Sequence, residues 1–214
     1  VYLLGLGRFF MALGGLDAGS TFGGMGSSRE MMISALIEPA LLVSLLTLGL
    51  MSGSTSIDSI MSVNRQGSPL STNPFALLIL IALFIILLAE TSRIPVDDPA
   101  THLELTMVHE AMLLEYSGRH LALMEYAAVI KQLLFMTILA NFFFPLEPNI
   151  LTSPFLSLFF GVILYVLKIM VIAVFVAVTE ICTVKLRFFS IPNLAAISFV
   201  LSFLGFMQFF IIGR

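Results

Sequence analysis

Between positions 153 and 179 the chain carries a single charged side chain, Lys168, among Leu, Ile, Val, Phe and small residues. A helix of that length crosses the roughly 30 Å hydrocarbon core of a bilayer. Within a bilayer, every backbone N–H and C=O must be satisfied inside the span, so runs of this kind fold as helices. Further apolar runs occupy 30–51, 74–89, 121–144 and 191–213, and 1–16 reads as the final part of another span, interrupted by Arg8. The expected fold is all-α: a polytopic transmembrane helical bundle of five full spans plus a partial amino-terminal one. Residues 1–214 then form one integral-membrane domain. Composition agrees, because 11% charged and 59% hydrophobic residues contrast with the roughly one-quarter charged content of soluble domains.

Against that background, residues 90–120 stand out. They hold Glu90, Arg93, Asp97, Asp98, Glu104, Glu110, Glu115 and Arg119, together with all three histidines, His102, His109 and His120. Residues before proline avoid the helical region, so the stretches around Pro95 and Pro99 read as extended or turned. Asp98 is placed to cap a helix with Pro99 in its first turn, and the expected helix covers 99–116, ending near Gly118. On such a helix Glu104 and Glu115 share one face, and His102 and His109 share the other.

Four more ionisable residues, Glu38, Glu125, Lys131 and Lys168, fall inside apolar runs. A charge at the centre of a span costs roughly 2.5–3.5 kcal/mol on insertion scales, so each needs a partner, water or a function. Two readings are open. The charges pair between helices as structural links, or they form a buried chain of titratable groups through which ions move.

Several chemistries are excluded. A net charge of −3 argues against a nucleic-acid partner. The single Cys182 rules out an internal disulfide and supplies no metal cluster. The glycine-rich stretch 17–29 reads as a tight connection, since it lacks the Lys-Ser/Thr pair of a phosphate loop. His109-Glu110 begins like a zinc-protease helix, but Leu113 stands where the second histidine belongs. On the expected helix His102 and His109 are about 10 Å apart, too far for one metal. No acyl-transfer triad is placed here. The loops after the first, third and fifth spans carry Arg29, Arg93, Arg119, Lys185 and Arg187, and the opposite side carries Arg65 and Arg214. This asymmetry puts the 90–120 segment in the cytoplasm.

The segments GSSREMMISALIEPALL, AETSRIPVDDPATHLEL and LEYSGRHLAL, with Lys131-Gln132-Leu133 and Val184-Lys185-Leu186-Arg187, resemble the membrane subunit shared by complex I and the energy-converting [NiFe] hydrogenases. On the hydrogenase side of this family it is the formate hydrogenlyase or hydrogenase-4 type membrane anchor. The wording around SREMM and VHEAMLLEYSGRH is similar to that branch, whereas Val96-Asp97-Asp98 after Pro95 and Ala100 and His102 beyond depart from the complex I pattern.

The resemblance covers essentially the whole chain and implies that two amino-terminal helices of the family pattern are missing from it. It also implies a role as the non-catalytic membrane component of an ion-translocating oxidoreductase complex in the inner membrane of a bacterium or archaeon. The expected ion path runs through Glu38, Glu90, Asp97, Glu104, Glu115, Lys131 and Lys168. Docking or support falls to Arg29, Arg93, Arg119, Lys185 and Arg187. No cofactor or metal is expected in this chain. Iron–sulfur clusters and a [NiFe] centre are expected in hydrophilic partner subunits, with antiporter-like membrane subunits alongside. A secondary transporter or a purely structural anchor are the alternatives. The first wants inverted repeats, which are not seen, and the second leaves the buried charges without a role.

Overall fold

The computed structural model describes residues 2–57, 59–61, 74–97, 107–145, 154–186 and 190–212. The described part is helical, without strands. Its helices are α1 (Tyr2–Asp17), α2 (Thr21–Ser52), α3 (Pro74–Glu90), α4 (His109–Leu113), α5 (Gly118–Phe143), α6 (Pro154–Cys182) and α7 (Ile191–Ile212). Four of them, α2, α5, α6 and α7, are long and apolar enough to cross a membrane, and α3 is a shorter apolar helix.

α3 is apolar on every side, and a helix of that kind belongs in the middle of a bundle. Ala76, Ile79, Leu80, Leu83, Ile86 and Leu87 are all buried, and α3 packs against α2, α5 and α7. α2 and α7 make the most extensive helix contact, where Ser44 and Ser202 hydroxyls meet at 2.7 Å and each also lies 2.8 Å from a carbonyl of its own helix, so that one hydroxyl donates across the pair and the other to its backbone. Small and hydroxylated residues let helices approach closely where no water drives them together. α5 and α6 flank this centre and turn most of their apolar side chains outward. They are linked by Thr137 and Tyr165 hydroxyls 2.8 Å apart.

Two sequence expectations are corrected. The tight connection expected over 17–29 is mostly helix, because α2 begins at Thr21 with Ser20 as its cap, accepting the Gly23 N–H at 3.0 Å. Glycine is a weak helix former, but these glycines let backbones touch. A Cβ on Gly23 would collide with the Gly15 carbonyl, and one on Gly26 would lie 2.9 Å from both the Ala111 Cβ and the Val108 carbonyl. Tertiary contact outweighs propensity here.

The single helix expected over 99–116 is not formed either. Met107 and Val108 are non-helical, α4 covers only His109–Leu113, and Leu114 and Glu115 form a turn. Asp97 Oδ2 accepts the N–H groups of Val108 and His109 at 3.2 Å, so a new helix starts at that point. The shared faces and the His102–His109 spacing therefore lose their basis. Asp98, His102, Glu104, Arg65, Arg187 and Arg214 lie outside the described residues.

Candidate functional site

The carboxyl end of α3 sets the site. Arg93 N–H donates to the Leu88 carbonyl at 2.9 Å and Ser92 N–H to the Ala89 carbonyl at 3.3 Å, with Ser92 in the left-handed region at φ 50°. This is the helix-ending motif that satisfies the last carbonyls, made with serine where glycine is usual. It leaves Glu90 on the last helical turn, pointing inward, and turns Arg93 to the next segment. The chain then folds tightly through a cis Ile94–Pro95 peptide, with Val96 N–H donating to the Arg93 carbonyl at 2.8 Å.

Glu90 is the centre of a chain of charges. Arg8 Nη1 lies 2.8 Å from Glu90 Oε1, Arg8 Nη2 lies 2.7 Å from Glu38 Oε1, and Lys131 Nζ lies 2.9 Å from Glu90 Oε2. The order is Glu38, Arg8, Glu90, Lys131, alternating in sign and drawn from α2, α1, α3 and α5. Arg8 and Glu90 are each only 5% exposed. Burying ions is costly unless partners are close and well placed, and the alternation supplies those partners.

Beside the chain lies a cavity of about 500 Å³ between α1, α4 and α5. Its polar wall includes Arg8, Glu90, Arg93, Asp97, His109 and Lys131. Glu110 and Glu125 also reach it, and apolar side chains of α1 and α5 complete it. His109 Nδ1 is buried there without a hydrogen-bond partner among the described residues. Burial holds the His109 imidazole below the usual histidine range, and the nearby Lys131 charge adds to this, against the weaker pull of Glu110 and Asp97. His109 is therefore neutral near pH 7.

A second set of contacts fastens the loops. Lys185 Nζ lies 2.8 Å from Asp97 Oδ1, and Leu186 N–H donates to the Pro95 carbonyl at 2.8 Å. Arg93 donates to Gln132 Oε1 at 2.9 Å and lies 3.6 Å from Glu180. Arg29 donates to the Met107 carbonyl at 2.8 Å, and Tyr116 to the Gly14 carbonyl at 2.7 Å. Asp97 thus binds three segments together: its own turn, the start of α4 and the 183–186 stretch.

Of the residues expected on an ion path, Glu38, Glu90 and Lys131 come together, and Asp97 lines the same cavity. Glu115 is exposed and Lys168 is buried on α6, and neither lines the cavity. Of the basic residues expected to dock or support, Arg29, Arg93 and Lys185 make internal contacts, and Arg119 is exposed. Arg8 joins the cluster although sequence reasoning saw it only as an interruption. Its signal was a cation at the middle of an apolar helix. Glu180 was also missed, and only its distance from Arg93 in space reveals it, whereas Gln132 stood in the Lys131-Gln132-Leu133 segment without a stated partner.

Residues 1–211 match the protein family described as NADH dehydrogenase. The chain belongs to this family. The chain is also similar to hydrogenase-4 component C of Escherichia coli K12, 35% identical over 209 residues, covering 97% of this chain and 64% of that protein. Formate hydrogenlyase subunit 4 of the same organism is 32% identical over 211 residues, covering 97% of this chain and 66% of that protein. The chain therefore spans just under two thirds of the length of these relatives. Both matches support the membrane subunit family shared by complex I and the energy-converting hydrogenases.

Proposed function

We propose that this NADH dehydrogenase family member is a membrane subunit of an ion-translocating redox complex on the hydrogenase side of the family. In this reading it docks a peripheral electron-transfer arm and couples redox change to movement of protons or sodium ions. The observation that carries it is the chain Glu38–Arg8–Glu90–Lys131, buried at its Arg8–Glu90 centre, beside a cavity of about 500 Å³. A structural anchor needs no such cluster, because apolar contacts of similar volume stabilise as well as buried ion pairs or better. Carboxylates that share a cation can exchange protons when the cation shifts its weight from one to the other. Arg8 between Glu38 and Glu90 has that arrangement, and Lys131 gives Glu90 a second cation.

The reading extends to five full crossings, with α3 completed to spanning length by its flanks, and to a cytoplasmic 90–120 segment in the inner membrane of a bacterium or archaeon. The partners are hydrophilic hydrogenase-like and iron–sulfur subunits, which hold the clusters and the [NiFe] centre, with antiporter-like membrane subunits alongside. Support comes from the hydrogenase-4 and formate hydrogenlyase relatives.

The test is Glu90→Gln and Glu38→Gln in the complete complex, in inverted membrane vesicles. Each change keeps the side-chain size and removes the charge. Both variants are expected to move fewer ions per electron pair than the parent, with assembly followed on native gels. If both assemble and pump at the parental ratio, the ion-path reading fails.

A further inference from the structure

We propose that Glu30 is a further proton-holding residue of this path, joined to Glu38 along α2 through Ser34; the inference rests on the ion-path reading above. Glu30 is 7% exposed, on the face of α2 turned into the bundle. It makes no ion pair or hydrogen bond with any described residue, in a region where the other buried charges are matched. Arg8 and Lys131 balance Glu38 and Glu90, and Lys185 balances Asp97. Arg29, next in sequence, turns to the Met107 carbonyl.

The charges that face Glu30 are Lys131 from α5, Glu90 from α3, Arg8 from α1 and Asp97 from the turn after α3. The ionisable residues of α4, His109 and Glu110, line the cavity, and α7 carries no charged residue. An ionised Glu30 would therefore add an uncompensated negative charge to a cluster that is already neutral, at the cost of burying an unpaired ion. Protonated, it becomes a hydrogen-bond donor as well as an acceptor.

Its position gives that proton somewhere to go. Glu30, Ser34 and Glu38 are spaced four residues apart, so they form one row along α2, rising about 6 Å at each step. Ser34 is buried too, and its hydroxyl can accept one proton while passing on another. The step moves a proton from the Glu30 carboxyl to the Glu38 carboxylate. The negative charge moves from Glu38 to Glu30, no electron is transferred, and Arg8 is left to Glu90 alone.

The test uses the complete complex in native membranes, with Glu30→Gln, Glu30→Asp and Glu90→Gln compared by infrared spectroscopy and by ions moved per electron pair. Glu30→Gln is expected to lose a protonated-carboxyl band present in the parent and to lose translocation. Glu30→Asp is expected to shift the band and restore translocation. A spectrum unchanged in either Glu30 variant overturns the proposal, and Glu30→Asp alone decides this point if Glu30→Gln does not assemble. Normal pumping by Glu30→Gln with impaired pumping by Glu90→Gln overturns the role of Glu30 and leaves the ion path standing. Normal pumping by both removes the path itself, and the proposal with it.

Discussion

Arg8 holds two carboxylates at once, Glu38 at 2.7 Å and Glu90 at 2.8 Å, so its removal would leave the buried Glu90 with Lys131 alone and the partly exposed Glu38 without this cation. Breaking a buried ion pair from one side typically costs about 3–5 kcal/mol, which makes Arg8 an organising residue whatever else the cluster does. His109 shows the opposite solution, a titratable group kept neutral. Burial and the Lys131 charge lower its affinity for a proton, so the unfolded chain takes up that proton first as pH falls. The resulting stability is fully present above the ordinary histidine value of about 6.5 and declines below it until the folded imidazole is itself protonated. Thermal melts of the purified protein are expected to fall in midpoint as pH drops from about 7 to about 5, and His109→Gln is expected to flatten that dependence. An equally steep slope in the variant would place the titration at another residue. The sequence showed Glu38 and Lys131 as charges needing partners, because a lone charge in an apolar run is conspicuous. It could not show that Arg8 is the partner of Glu38, because that pairing joins different helices and depends on their packing.

At the scale of elements, α2 shows why helices were easier to recognise than their ends. Its apolar length was plain, but its start was hidden by glycines that intrinsically disfavour helix and are present for close packing. Gly23 and Gly26 bring α2 against α1 and α4, and Ser27 ties the same face to the Ala12 carbonyl at 3.0 Å. Gly24, on another side, would place a Cβ in open space. Gly26→Ala is therefore expected to destabilise by about 1–3 kcal/mol through overpacking. Gly24→Ala should instead stabilise by up to about 1 kcal/mol, because alanine is the better helix former. Melting midpoints of the two variants moving in opposite directions would bear this out, and equal shifts would show that α4 is not seated on Gly26. The failure at 99–116 has a related cause. Local signals favoured a helix across Met107 and Val108, but Asp97, ten residues earlier in sequence than Met107, takes the Val108 and His109 N–H groups, and Arg29 takes the Met107 carbonyl. Such distant competitors carry no periodic signature.

For the whole molecule, the uneven distribution of polar groups along the bundle bears on orientation. α2 has 32 residues, about 48 Å at 1.5 Å per residue, which exceeds the roughly 30 Å hydrocarbon core. One end must therefore project or tilt. The start of α2, the end of α3, the start of α5 and the 183–186 stretch share one end of the bundle, and Asp97, Lys185 and Arg29 knit that end together. The opposite end is closed by Gly53 in the left-handed conformation, whose N–H returns to Gly49 and Leu50 carbonyls. Arg29, Arg93 and Lys185 lie at the knitted end, and the proposed orientation, which follows the positive-inside rule, places that end in the cytoplasm. The chain has one cysteine, Cys182, so Cys182→Ser gives a clean background. Ser117→Cys and Thr183→Cys, at exposed positions of the knitted end, are expected to react with a membrane-impermeant maleimide in inverted vesicles and not in intact spheroplasts. Thr55→Cys, exposed at the other end, is expected to react only in spheroplasts. The reverse pattern would put the cavity and its charges on the outer side, where a cytoplasmic electron-transfer arm could not reach them, and the docking half of the proposed function would fail even with the ion path intact.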